Sequence, residues 1–487
     1  MLECLKKHYI TILLLTILFI VFLFYILTPL CMDTRIFFAS ANQAELSGPF
    51  PQNIDQSWEV KPLGNRFIVY SLYILTIQFV DFQDKYEFEI AVKLIYGFFI
   101  LITSLFFLHE TTGIWKKVNL PQYFPLFIIL ISFYSLSFFC ALQAEDFCSV
   151  LVLIALSLII SPNRALNILA GFPIAFLFAV KGVTILLGLY FIPLFLILGP
   201  EYQSKIKYSI YGFVISISSI FLLFAFVFHY AFGDMVFATI MQDTNNYYLF
   251  PVSARILQLF IGLYISLKHI PILIPGIISA IGVLFYLVNG KKWRFLLLFL
   301  SLGFIGSSII IIQGKFFSYH YLVFFLLAIG SILTFFVLYP KWRIPIIILI
   351  VLLWAIFQLP YSINYSLATQ NLQDTRDYFS KLDERYNLSS ESDLLYLDNG
   401  MGAYYLSAPS HCRFFWPPSS NAARSQEYKG YIKCVLTYNG EYIIINPDKV
   451  KIDNLVTEKL NREYTEVPDQ LRFYNKYILL KRVLGFG

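Results

Sequence analysis

Lys6-Lys7-His8, then Tyr9-Ile-Thr-Ile-Leu-Leu-Leu-Thr-Ile-Leu-Phe-Ile-Val-Phe-Leu-Phe-Tyr-Ile-Leu-Thr-Pro-Leu30, then Cys31-Met32-Asp33-Thr34-Arg35 is the stretch that decides how the rest of the chain is read. About twenty apolar residues cross a bilayer core, so 9–30 reads as a membrane span. The two lysines ahead of it hold the N-terminus inside, because cytoplasmic flanks carry the Lys/Arg excess. No small-residue cleavage site follows the apolar run, so it reads as an uncleaved anchor. Asp33 then stands on the outer side, just at the mouth of the helix.

Composition agrees. Residues are 58% hydrophobic and 14% charged, with mean hydropathy +0.69, against about a quarter charged in soluble domains. The expected fold is a polytopic all-α membrane bundle. The net charge of +6 arises largely from inner-loop clusters, and there is no basic tract of the kind that binds nucleic acid. Further spans are expected near 87–109, 122–141, 147–161, 165–181, 183–199, 208–232, 271–289, 295–313, 318–339 and 344–361, about eleven in all. With the N-terminus inside, the inner loops then hold Lys116 and Lys117, Arg164, Lys205 and Lys207, Lys291, Lys292 and Arg294, and Lys341 and Arg343. Every inner loop is basic, and one span too many in the middle would put half of these clusters outside.

Two apolar stretches, 62–80 and 252–268, are kept out of the count because counting either would invert the later loops. They are expected to lie in the outer interface, with Arg66 and tyrosines at headgroup level. The expected transmembrane module is 1–361. After Tyr361 charges return, and short β-like runs at 394–397, 431–436, 441–445 and 471–481 alternate with Asn-Gly turns at 399–400 and 439–440. Residues 362–487 therefore read as a small α/β domain on the extracytoplasmic side. Asn364-Tyr-Ser and Asn387-Leu-Ser match a glycosylation acceptor pattern. Of six cysteines, Cys412 and Cys434 share this segment, either bridged or as two buried thiols.

Candidate chemistry gathers on the outer side. Asp33 is either a base at a desolvated helix mouth or a loop acid paired with Arg35. Glu145 and Asp146 fill a short loop, Gln143-Ala-Glu145-Asp146, and either orient a ligand, bind a metal or form a solvated turn. Lys181, in Phe-Ala-Val-Lys181-Gly-Val-Thr, is an ammonium near membrane depth, where function or a snorkelling side chain are the two readings. Gln313-Gly-Lys315-Phe-Phe-Ser-Tyr319-His320-Tyr321 adds a lysine and a histidine, and Trp58-Glu59-Val-Lys61-Pro62-Leu-Gly-Asn65-Arg66 closes the first outer loop. Cations converging at an interface suit a lipid-linked phosphate, which needs charge-assisted donors outside water.

The order of these features resembles the GT-C glycosyltransferases, in particular the protein-O-mannosyltransferase and lipid A aminoarabinose-transferase branch. It runs from an acid after the first helix, through Lys-Pro at the end of a long outer loop, an acid in a short second loop and a lysine after the fifth helix, to Gly-Lys-x-x-x-Tyr-His late in the chain. It covers residues 9 to about 340. The tail, with Leu-Asp398-Asn-Gly400-Met-Gly-Ala-Tyr404-Tyr405 and Arg413-Phe-Phe-Trp416-Pro, is similar to extracytoplasmic tails of prokaryotic members. This chain departs from the branch in having Thr34-Arg35 where a second acid often stands, Lys61-Pro62-Leu63 for Lys-Pro-Pro, and Lys93 where an arginine often opens the second span.

The resemblance implies an integral plasma-membrane enzyme that moves a sugar, with inversion, from a polyprenyl- or dolichyl-phosphate donor to an acceptor hydroxyl at the outer face. Asp33 would be the base. Lys61, Lys181 and Lys315, with Arg66 and His320, would hold the donor phosphate, and Glu145 or Asp146 would orient donor or acceptor. Its partners would be membrane lipid and a glycan, lipid or protein acceptor, not nucleic acid. No cofactor is required, and a divalent metal is left open. Two alternatives stand beside it: a transporter or flippase, and a polymerase or ligase of lipid-linked glycans.

Overall fold

The structure is a computed structural model that describes residues 2–47, 63–80, 85–137, 140–180, 190, 200–227, 250–314, 316–391, 394–398, 400–412, 426–447, 454–467 and 477–483. In chain order its helices are α1 (Leu2–Leu27), α2 (Met32–Ser47), α3 (Leu63–Phe79), α4 (Lys85–Lys117), α5 (Tyr123–Tyr134), α6 (Ala144–Ile160), α7 (Arg164–Leu169), α8 (Gly171–Val180), α9 (Pro200–Val227), α10 (Val252–Ser266), α11 (Leu273–Asn289), α12 (Trp293–Gln313), α13 (Phe325–Leu338), α14 (Arg343–Phe357), α15 (Leu359–Tyr386), α16 (Met401–Tyr405), α17 (Gln426–Thr437) and α18 (Asn454–Glu463). Four strands, β1 (Leu395–Leu397), β2 (Tyr442–Ile445), β3 (Tyr464–Glu466) and β4 (Ile478–Arg482), complete it.

The chain forms two compact units. The first contains Met1–Leu30, Glu89–Leu222 and Leu249–Ser366, and the second contains Cys31–Phe88, Leu223–Tyr248 and Leu367–Gly487. Residues Cys31–Phe88 thus group with Leu367–Gly487, and position 361 falls inside the continuous helix α15.

The first unit is helical, and its outer surface is apolar. Ile12, Phe19, Ile102, Ile215, Phe260, Phe304 and Ile356 are each 60% exposed or more. A soluble protein does not leave such a belt in water. Among the described residues six helical segments are long and apolar enough to cross a membrane: Tyr9–Leu27, Lys85–Lys117, Pro200–Leu222, Trp293–Gln313, Ser318–Leu338 and Pro340–Phe357. The protein is therefore a largely helical chain of membrane-embedded type.

Most expected spans meet a helix, but their interiors differ from the sequence reading. Of the expected 122–141, Tyr123–Tyr134 is helical, and the described residues after it, 135–137 and 140–141, are not. The expected 165–181 is broken between α7 and α8. The expected 318–339 opens as a 3₁₀ helix, Ser318–Phe324, and 183–199 lies outside the described residues apart from Tyr190.

At the end of α6 the free carbonyls are met by side chains. The Asn167 amide donates to Leu158, Ile159 and Ser161 carbonyls at 2.9, 3.1 and 3.0 Å, and Lys205 Nζ donates to Ile160 O at 2.9 Å, so the end of α6 is fully capped. At Gly212 of α9 the packing is backbone to backbone. A Cβ there would fall 1.7 Å from Ile168 O, and one on Gly171 would fall 2.0 Å from the Gly212 carbonyl carbon.

The second unit is built on a four-stranded sheet of order β1-β2-β4-β3, with β1 and β2 parallel and the other pairs antiparallel. A parallel pair needs a long crossover, and α16 and α17 lie within it. Here the expected strand at 431–436 is corrected. These residues lie within α17, because Tyr431, Val435 and Tyr438 recur at helical spacing and are buried with Leu397, Ile443 and Leu460. The other expected strands at 394–397 and 441–445 are present, and of the expected 471–481 the described residues from Ile478 on are strand, 471–476 lying outside the described residues. Cys412 and Cys434 are joined by a disulfide, their Cα atoms 5.9 Å apart.

Helix α2 docks on this domain through two amides. Asn42 Nδ2 donates to the carbonyls of Ala403 and Leu406, and its Oδ1 accepts from Tyr73 Oη at 2.8 Å. Gln43 donates to Ala408 O at 3.2 Å and accepts from Ser410 N at 2.7 Å, pairing with the chain as a neighbouring strand would.

Asp398 sits between β1 and α16, fully buried, and accepts from the backbone N–H groups of Gly400 and Gly402 at 2.8 and 2.6 Å. Burial outweighs these bonds and pushes its carboxyl up to about 6 from the usual 3.8. Between about pH 4 and pH 6 the unfolded chain is ionised there while the folded one holds its proton, so this group makes stability fall as pH rises through that window and leaves it flat above. The expected size is of order 3 kcal/mol. Thermal unfolding of the full chain in detergent should show this slope in the wild type, and Asp398→Asn should remove it; equal slopes in both would exclude Asp398 as its source.

Candidate functional site

The turn before α6 is the most unusual polar feature of the first unit. Leu142 is fully buried and adopts φ +58°, a left-handed conformation that is strained for a bulky residue and is held only where the surroundings enforce it. The enforcing contact is local: Leu142 N–H donates to Asp146 Oδ2 at 2.8 Å. Gln143 caps the helix in extended conformation, and Glu145 and Asp146 occupy its first turn. Acids are favoured there by the helix dipole. That accounts for their position but not for their burial, since Glu145 is 4% and Asp146 1% exposed. Of the sequence readings for this loop, a solvated turn is excluded.

The two carboxylates face different partners. Glu145 Oε1 lies 3.6 Å from His320 Nε2, and both side chains are buried. His320 is carried by the 3₁₀ turn that opens the α13 segment, and its ring is flanked edge-on by Phe317 and Tyr319. Asp146 points toward Tyr96 and Tyr25, whose hydroxyls are close enough to feel its charge. Among the described residues neither hydroxyl completes a hydrogen bond of good geometry, and neither do Asp146 Oδ1 and Ser137 Oγ. Tyr25 and Ser137 also border a void of about 20 Å³ with Lys93, Tyr134 and Gln358, room for about one water. An unmet buried polar group costs about 1–3 kcal/mol. Tyr25 and Tyr96 stand beside the Asp146 carboxylate, and Ser137 shares the small void with Tyr25, so polar groups are gathered where the bundle is otherwise apolar.

Lys93 has a different occupation. It is 1% exposed, and its Nζ donates to Tyr25 O at 3.1 Å and to Thr28 O, where α1 ends. One turn earlier on α4, Glu89 Oε2 accepts from Leu30 N at 2.8 Å. The pair clamps the chain leaving α1 and fixes Tyr25 beside Asp146. A cation at helix-terminal carbonyls is also what the dipole favours.

The structure brings together three of the residues singled out in the sequence: Glu145, Asp146 and His320. Asp33 and Arg66 lie on α2 and α3 in the second unit, with side chains outside the described residues, and Lys61, Lys181 and Lys315 lie outside them altogether. Sequence reasoning missed Tyr25, Glu89, Tyr96 and Ser137. A signal existed for two of them: Glu89, Lys93 and Tyr96 follow at i, i+4 and i+7, a polar stripe on one face of an apolar helix. Among the described residues no three His, Cys, Asp or Glu side chains converge as a metal site.

No family model, curated protein or solved structure matches the chain.

Proposed function

We propose that this protein is a membrane glycosyltransferase of GT-C type, moving a sugar from a polyprenyl-phosphate donor to an acceptor hydroxyl at the outer face of the membrane. The observation that carries the reading is the buried cluster around the strained Leu142 turn. Two carboxylates, a histidine and the hydroxyls of Tyr25, Tyr96 and Ser137 are buried inside an apolar bundle. Ionisable groups buried in an apolar bundle are costly enough to mark function by default, and a polyhydroxyl ligand offers donors and acceptors to such groups. In this reading Asp146 and Tyr96 bind sugar hydroxyls, and Glu145 holds His320 in position. Asp33 deprotonates the acceptor, and Lys61, Lys181, Lys315 and Arg66 hold the lipid phosphate, as the resemblance implies.

The second unit supports the sidedness. Residues Cys31–Phe88 and Leu367–Gly487 belong to one compact body with a disulfide, a bond that persists in oxidising compartments. A body on one face of a bilayer requires an even number of crossings between its two parts. The expected set of about eleven spans leaves an even number once the first is removed. Cysteines introduced at Glu384 and at Lys291, both exposed, separate the alternatives. The former should react with an impermeant thiol reagent in intact cells and the latter should not; labelling at Lys291 alone would invert the topology.

The activity itself is tested by incubating purified protein with a panel of radiolabelled polyprenyl-phosphate sugars. Release of the lipid phosphate coupled to label in an acceptor is expected for at least one donor. Binding of no member of the panel, with the protein folded, would refute the reading.

A further inference from the structure

Helices α11, α12 and α13 enclose a groove of about 590 Å³, lined almost wholly by apolar side chains and by none of the carboxylate cluster's residues. Its shape follows from where the glycines fall. A Cβ on Gly276 would sit 2.4 Å from Ala328 Cβ, and one on Gly282 2.4 Å from the Phe335 ring, so α11 and α13 pack tightly. Gly303 on α12 and Gly330 on α13 meet nothing within 4 Å and line the open space instead. The α11 residues that line it run from Leu273 to Leu287, about 21 Å at the helical rise, which is longer than one leaflet's share of a bilayer core of roughly 30 Å.

The lining has a single Lys, Arg, Asp or Glu, Lys292, at the α11–α12 turn. Its Nζ donates to Tyr286 Oη at 2.8 Å and lies 4.4 Å from the centre of that ring. This anchors the ammonium at the groove's end and leaves donors unused, since an ammonium has three. Among the described residues no carboxylate pairs with it. Lys291 and Arg294 beside it are exposed, so the mouth is cationic while the groove is apolar.

We infer that this groove binds one acyl chain of an anionic glycerophospholipid whose phosphate is held by Lys292. The site is separate from the carboxylate cluster, and the inference does not depend on sugar transfer. An apolar trough of chain length supplies affinity without selectivity, and the cation at its end selects net negative charge.

Native mass spectrometry of the full chain in detergent, titrated with phosphatidylglycerol or phosphatidylcholine, tests this. One phosphatidylglycerol should bind at least tenfold more tightly than phosphatidylcholine, and Lys292→Gln should cut that preference by roughly tenfold. Gly303→Leu and Gly330→Leu, which fill open space, should weaken both lipids while retaining the wild-type melting temperature. If either unfolds, the exposed Lys292→Gln decides the matter alone. Equal affinity for the two lipids, or undiminished binding in Lys292→Gln, would overturn the inference. So would a second protein copy or a polyprenyl phosphate found in the groove in place of the phospholipid.

Discussion

In Asp33→Asn, sugar transfer should fall a hundredfold or more while the donor still binds, because the substitution keeps the shape and removes only the base. In Glu145→Gln and Asp146→Asn the pattern should differ: ligand affinity should drop together with turnover, since Asp146 meets sugar hydroxyls and Glu145 holds His320 in position, and neither takes the proton in flight. Measuring donor binding and transfer separately distinguishes the two patterns. Near-normal turnover in Asp33→Asn would remove it as base and move that role to the Glu145–His320 pair, a carboxylate–imidazole contact in which both side chains are buried. Each variant needs a folding control. Breaking a buried pair costs about 3–5 kcal/mol, and the double variant with His320→Gln separates the pair's stability from its chemistry.

Gly212→Leu is expected to prevent assembly of the first unit, at a cost of 4 kcal/mol or more, beyond the usual range of single substitutions. The reason is geometric. With Ile168 O only 1.7 Å from the Cβ position, no rotamer relieves the clash, so α9 must move away from the break between α7 and α8. That movement would draw Lys205 from the end of α6 and Ser209 from Asn167 O, to which it donates at 2.9 Å. Small residues are used in membrane bundles because they permit this approach. Gly113→Leu is the matched control, a helical glycine whose Cβ meets nothing within 4 Å, and it should be tolerated. Detergent-solubilised thermal unfolding of both variants decides the point. A melting temperature for Gly212→Leu near that of the wild type would show that the backbones do not touch.

Much of the architecture was legible in the chain because membrane helices announce themselves locally. Each must satisfy its own backbone and carry its own apolar surface, so runs such as 9–30, 271–289 and 295–313 could be located without knowing their neighbours. Where the reading went astray, the local signal was ambiguous. The Tyr431-Ile-Lys-Cys-Val-Leu436 run is β-branched and aromatic enough to suggest a strand, yet its apolar residues fit a helical period equally well, and packing against the sheet selected the helix. Likewise, nothing in 122–141 marks where the helix gives way, because the turn after Tyr134 is held by distant groups, including the His269 carbonyl accepting from Ser137 N.

The sequence by itself determined the class of protein and most of the places where helices would form, and it named Glu145, Asp146 and His320 among its candidates, since composition and charge are local properties. Only the tertiary structure decided what those residues face. It turned a loop of two acids into a buried carboxylate cluster with Tyr25 and Tyr96, gave Lys93 to the end of α1, and joined α2 to a domain more than three hundred residues away through Asn42 and Gln43. These are long-range pairings, in which a polar group's partner is set by which helix ends and turns the packing of apolar faces brings together, and no spacing along the chain encodes that.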